Sequence, residues 1–244
     1  LWDILEVKNV TEEIFMFFFY DPTWWLIIAG IIISLIASGN VNATYKKYSK
    51  INNNGGLTAS EVAKLILKDA GIYEVRIEHV EGELTDHYDP KNKVVRLSDS
   101  VYDSESVAAI GVAAHECGHV IQHYKGYIPI RIRNAIVPVV NFGSKISWPL
   151  ILLGVLFGLT NLVDIGIILF SLVLVFQIVT LPVEFNASKR AVTIIRDSGI
   201  LLGEEVKAAK KVLNAAAMTY VAGAIATALQ VLRLFLLFGR RRRN

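Results

Sequence analysis

The stretch VAAHECGHVIQH, residues 112–123, sets two histidines, His115 and His119, four residues apart, with Glu116 beside the first. On a helix, four residues turn the chain by about 400°, so both rings share one face about one turn apart and can reach a single Zn²⁺ at about 2.0–2.1 Å. Glu116 is rotated by about 100° from His115, which aims it at water on the metal rather than at the metal. Two ligands and a general base at this spacing form the H-E-x-x-H arrangement for metal-assisted hydrolysis. The plainer alternative is a pair of histidines on a helix surface. Gly118 is small enough to let another backbone or a substrate come close. His123 repeats the spacing, but it lies about 12 Å along the axis from His115, too far for one zinc to bridge. It reads as a supporting or surface residue. The pattern that adds a third histidine further on needs a glycine where Gln122 stands.

Those residues need a helix to hold them. Val107, Ile110, Ala114, Cys117 and Ile121 recur at three- and four-residue steps, which predicts a helix ending near Tyr124, capped at Asp103 or Ser104. Upstream, LTASEVAKLILKDAG predicts another helix, with Thr58 and Glu61 as a capping box and Gly71 as its stop. YEVRIEHV predicts a strand, and ELTDHY and KVVRLS around DPKN predict a hairpin. Together these make a small α+β zinc-protease-like domain.

Around that domain the chain turns apolar. It has 244 residues, 53% hydrophobic and only 19% charged, with a mean hydropathy of +0.46, against about 25% charge in an ordinary soluble domain. Four blocks predict membrane helices: Trp24–Ala37, Ile146–Leu159, Asp164–Leu181 and Ala215–Phe238, the middle two forming a hairpin around TNLVD. Trp24, Trp25 and Trp148 suit the lipid–water interface. The leader carries Asp3, Glu6, Glu12, Glu13 and Asp21 against Lys8, unlike the basic start of a signal peptide. The expected divisions are 1–39, the leader and first span; 40–145, the zinc domain inserted between first and second spans; 146–182, the hairpin; 183–214, a segment bearing a further ligand; and 215–244, the last span and basic tail. Four spans put 40–145 and 183–214 on one side. Lys46, Lys47, Arg131, Arg133, Lys189 and Arg190 mark that side as cytoplasmic by the positive-inside rule, while the Arg240–Arg243 tail argues the other way. The net charge of +3 gives no reason to invoke nucleic acid, and the single Cys117 excludes an internal disulfide framework. A homo-oligomer is not indicated.

A catalytic zinc takes three protein ligands. No histidine or cysteine follows His123, so a downstream ligand must be a carboxylate: Asp164, Glu184, Asp197, Glu204 or Glu205. Asp164 is expected in the hairpin turn on the wrong face, Asp197 in a loop, and Glu204 and Glu205 in an exposed first helical turn. Glu184 stands where the third span leaves the membrane, on the side of the zinc helix. It also reads as a solvated glutamate at a helix start, and His87 in the hairpin is the rival ligand.

TDHYDPKNKVVRLS, VAAHECGHVIQH, ISWPLILLG and LPVEFNASKRA, in that order, resemble the YugP-like family of neutral zinc metallopeptidases of bacterial membranes, over roughly residues 45–240. The resemblance implies a membrane-embedded gluzincin with one zinc on His115, His119 and Glu184. By analogy with membrane proteases of the HtpX and CAAX-processing type, Asp86, His87 and Tyr88 would line a cleft that takes the substrate as an added strand. Those enzymes carry an aspartate four residues after the ligand glutamate, where this chain has Ser188, a weaker acceptor for a zinc histidine. Asn186 is a second candidate for that supporting role.

The sequence therefore predicts zinc-dependent hydrolysis of membrane-associated or juxtamembrane polypeptides in the bacterial cytoplasmic membrane, with Glu116 as general base on zinc-bound water. His87, Tyr88, His123 and Tyr220 are candidate oxyanion donors, each also readable as packing. A zinc-stabilised membrane scaffold without turnover is the alternative. A transporter fits less well, because the spans hold few ionisable residues besides Arg233.

Overall fold

The computed structural model describes residues 22–239. The acidic residues through Asp21 and the Arg240–Arg243 tail lie outside them. In chain order the elements are α1 (Trp24–Tyr48), α2 (Ala59–Asp69), β1 (Arg76–Val80), β2 (His87–Asp89), β3 (Val94–Ser98), α3 (Val107–Tyr124), α4 (Ile128–Leu156), α5 (Thr160–Asp197) and α6 (Glu204–Phe238). Among the described residues the chain is mostly helical, with one small sheet. Among the described residues, α1, α4, α5 and α6 are long and apolar enough to cross a membrane.

The chain divides into two compact units, one from Leu35–Ala135 and Ile178–Val221, the other from the remaining segments. In the first unit, α2 begins where Thr58 accepts the Glu61 N–H and the Glu61 carboxylate accepts the Thr58 N–H. Such a cap is worth about 1 kcal/mol. The helix buries Val62, Ala63, Ile66 and Leu67 in the unit's core. The sheet runs β1-β3-β2, with β1 parallel and β2 antiparallel to β3. Central β3 has Val94, Val95 and Leu97 fully buried. Successive side chains point to opposite faces, so burial of neighbours means both faces are covered.

Helix α3 is the centre of this unit. Val107, Ala108, Ala109, Ile110, Ala113, Ala114, Cys117 and Val120 are all fully buried. A helix with apolar residues buried on most of its sides belongs inside. Its cap is Ser106, whose Oγ accepts the Ala109 N–H at 3.2 Å. The cap is thus neither Asp103 nor Ser104, the two expected; Ser104 instead accepts the Ser106 N–H and donates its hydroxyl to Ser106 Oγ. Small residues let neighbours approach closely. A Cβ on Gly118 would sit 2.8 Å from the Ala187 carbonyl oxygen and 3.2 Å from its Cα, so α3 and α5 meet backbone to backbone at this point.

In the second unit, Gly154 and Gly166 do the same for α4 and α5. A Cβ on Gly166 would lie 2.8 Å from the Ser147 carbonyl oxygen, and one on Gly154 2.8 Å from the Val163 nitrogen. Close packing through small residues is how helices associate without a hydrophobic driving force. The connection falls at Phe157–Leu159, with Gly158 at φ +67°. TNLVD, expected as the turn, is the first helical segment of α5, and Asp164 is helical. Gly158 supplies the left-handed residue that closes α4, which frees Thr160 to start the next helix. Pro138, Pro149 and Pro182 sit inside helices, as membrane helices tolerate. Trp25, Ile28, Phe142, Trp148 and Ile168 face outward, an apolar surface that suits lipid. Arg233 is 6% exposed, its guanidinium 5.2 Å from the Trp24 ring centroid.

Candidate metal centre

His115 and His119 lie one turn apart on α3, their rings 4.7 Å apart and edge to face. Glu184 reaches them from α5. Its Oε2 is 3.3 Å from His115 Nε2 and 3.5 Å from His119 Nε2, and the three ligand atoms lie within 4.8 Å of one another. The two short distances match the edge of a tetrahedron about a zinc at roughly 2.0–2.1 Å, which is about 3.3–3.4 Å. Glu184 Oε2 is also buried with no hydrogen-bond partner, a costly state for a carboxylate that a cation would relieve. Burial disfavours an imidazolium at His119, but the Glu184 and Glu116 carboxylates outweigh it and raise its pKa. The pocket therefore favours positive charge. These residues fit a zinc ion.

Each member is held by a second contact. Ser188 Oγ lies 3.1 Å from His115 Nδ1, so a hydroxyl takes the place of the carboxylate usual in this position. His119 Nδ1 lies 3.1 Å from Gln122 Oε1. Arg133 Nη1 donates to Glu184 Oε1 at 3.3 Å, which leaves Oε2 turned to the histidines. Tyr220 on α6 lies near enough to interact electrostatically with the same carboxylate. Asn186 accepts from Gln122 Nε2 at 3.0 Å and from Arg190 Nε at 2.7 Å. Sequence reasoning passed over Gln122 and Arg133. The signal for Gln122 was its place one helical turn beyond His119, where its amide can face the same imidazole. Arg133 carried only a topological signal.

Glu116 is 8% exposed. It is close enough to act electrostatically on His119, Asp86 and Tyr220. Burial raises the Asp86 pKa, opposed by hydrogen bonds from the Ser98 N–H and hydroxyl at 2.8 and 2.9 Å. Tyr88 packs edge to face on His123 at 5.4 Å, and Asn134 Nδ2 lies 3.3 Å from His123 Nε2. Burial lowers the His123 pKa, which keeps the ring neutral. His87 lies outside the three-residue group, with Nδ1 2.8 Å from the Thr85 carbonyl oxygen and Nε2 3.2 Å from Arg96 Nη1. Cys117 is fully buried, and burial pushes its thiol pKa up, so it stays a packed hydrophobe. The other carboxylates are engaged elsewhere: Asp197 with Arg196, Glu204 with Lys207, and Glu205 with the Asn54 and Leu202 N–H groups. Asp164 belongs to the other unit.

Residues 23–239 match the family described as "Putative neutral zinc metallopeptidase", and the chain belongs to that family. It is similar to the "Putative membrane protease YugP" of Bacillus subtilis (strain 168), with 47% identity over 214 residues, covering 88% of this chain and 95% of that protein. No solved structure matches it.

Proposed function

We propose that the protein is a membrane-embedded zinc endopeptidase of the gluzincin type that binds one zinc on His115, His119 and Glu184. The observation that carries this reading is the convergence of two imidazole nitrogens on a buried carboxylate oxygen without a hydrogen-bond partner, at tetrahedral spacing and beside buried Glu116. A zinc ion held there supplies Lewis acidity, polarising the scissile carbonyl and making water acidic enough to attack near neutral pH. Glu116 takes the proton of the attacking water and passes it to the leaving amine. Arg133 holds the Glu184 carboxylate in its ligating pose. Tyr220, beside that carboxylate, is the favoured donor to the developing oxyanion. Among the described residues β2 pairs only with β3. Its other edge offers main-chain partners to an extended substrate past Tyr88.

In this reading the zinc domain is interposed between the first and second membrane helices and faces the cytoplasm. Ligand Glu184 shares α5 with a membrane span, which favours membrane-associated or juxtamembrane polypeptides as substrates. The competing reading is a zinc-stabilised scaffold. A structural zinc takes four protein ligands, and the group among the described residues has three, which favours turnover.

The test is metal removal and return on the purified full chain. A chelator should abolish cleavage of a casein-like substrate and of membrane proteins, and one equivalent of Zn²⁺ should restore it. A chain whose melting temperature falls on chelation but which cleaves nothing with zinc is the scaffold.

A further inference from the structure

Gln122 is fully buried, and each end of its amide is engaged. Nε2 donates to the Val183 carbonyl oxygen at 2.8 Å and to Asn186 Oδ1 at 3.0 Å. The Val183 oxygen is purely an acceptor, so the NH₂ must face it. That orientation leaves Oε1 toward His119 Nδ1 at 3.1 Å. A carbonyl oxygen is also purely an acceptor, so His119 carries a proton on Nδ1, which leaves Nε2 as the nitrogen that can ligate a metal. That nitrogen faces Glu184 Oε2 at 3.5 Å. Val183 immediately precedes Glu184 in the chain. One buried side chain thus grips a histidine of α3 and the backbone of α5 beside the carboxylate that faces it.

We propose that Gln122 is a positioning residue that fixes the His119 tautomer and sets the spacing between His119 and Glu184, a proposal that rests on the zinc reading of the site. Ser188 gives His115 a hydroxyl, which can rotate and either donate or accept. Gln122 gives His119 a fixed acceptor. The two histidines are therefore oriented unequally, and the amide bears the burden usually carried by a carboxylate.

The test uses the full-length chain in detergent with three variants: Gln122→Leu, Gln122→Glu and Asn186→Leu. Zinc affinity is read by competition with a chromogenic chelator, and ligand geometry by the visible absorption of the Co²⁺-substituted protein. Gln122→Leu removes both ends and should weaken zinc binding about 10–100-fold, the usual effect of losing an outer partner, with an altered cobalt spectrum. A buried glutamic acid can accept from His119 and donate its O–H to the Val183 carbonyl, so Gln122→Glu should stay within about threefold of wild type. Asn186→Leu spares both of those bonds and should leave the cobalt spectrum unchanged. Wild-type affinity and spectrum in Gln122→Leu would overturn the proposal, as would equal losses in Gln122→Leu and Asn186→Leu. Wild-type protein that takes up neither metal would overturn the zinc reading itself, a result distinct from failure of the Gln122 variants alone.

Discussion

Glu184 Oε2 sits 3.3 and 3.5 Å from two imidazole nitrogens, buried and without a hydrogen bond. An unmet buried carboxylate oxygen is destabilising, and a cation bound there would relieve that cost. Replacing Glu184 with Ala should lower zinc affinity by more than the roughly 10–100-fold typical of losing an outer partner, read by elemental analysis after dialysis. Unchanged zinc content would remove Glu184 as a ligand. Asp86 offers a prediction in pH. Burial raises its folded pKa above the ordinary 3.8. A carboxyl with a raised folded pKa adds stability below the unfolded value, and this is lost as pH climbs through the folded value. Asp86→Asn keeps both Ser98 contacts, since its amide oxygen can accept the Ser98 N–H and its NH₂ can donate to the hydroxyl. The variant should therefore gain stability relative to wild type as pH rises above 3.8, measured by denaturation across that window. A difference that does not vary with pH would show that Asp86 titrates normally.

At the scale of elements, the site depends on how closely α3 and α5 approach. Gly118 lies between the histidines and faces the Ala187 backbone, three residues beyond Glu184 and one before Ser188. A side chain there meets backbone atoms that cannot swing aside. Gly118→Val should cost about 1–3 kcal/mol by overpacking and also weaken zinc binding, because it pushes Glu184 and Ser188 away together. A Cβ on Gly39 of α1, by contrast, would meet no atom within 4 Å. Gly39→Ala should be neutral or slightly stabilising, since Ala outdoes Gly in a helix by about 0.5–1 kcal/mol. Equal melting temperatures and zinc contents for Gly118→Val and wild type would contradict this account. The helices themselves were legible because their periodicity and caps are local: the Thr58–Glu61 box and the end of α3 at Tyr124 stand where the pattern put them. The Ser106 cap and the Phe157–Leu159 turn were misplaced. In each case neighbouring residues suit the role; hydrogen bonds settle the cap on Ser106, and the left-handed Gly158 settles the turn. Gln122 and Arg133 were missed because their importance arises only when Val183 and Glu184, distant in sequence, are brought beside them.

For the whole molecule, the family match spans residues 23–239, so it takes in both the four long apolar helices and the candidate metal cluster. The motif at 115–119 was plain in the sequence because both histidines sit on one helix. Glu184 was reachable only by counting spans and by resemblance, since no local pattern ties it to His119. The central claim is that this buried cluster holds zinc for hydrolysis rather than for support. The most direct measurement compares wild type and Glu116→Gln from parallel preparations, with zinc per chain and cleavage rate read on the same samples. The account predicts about one zinc in both proteins and a rate about 10²–10⁴-fold lower in Glu116→Gln, the usual range for losing a general base. A Glu116→Gln protein that keeps its zinc and cleaves as fast as wild type would contradict it.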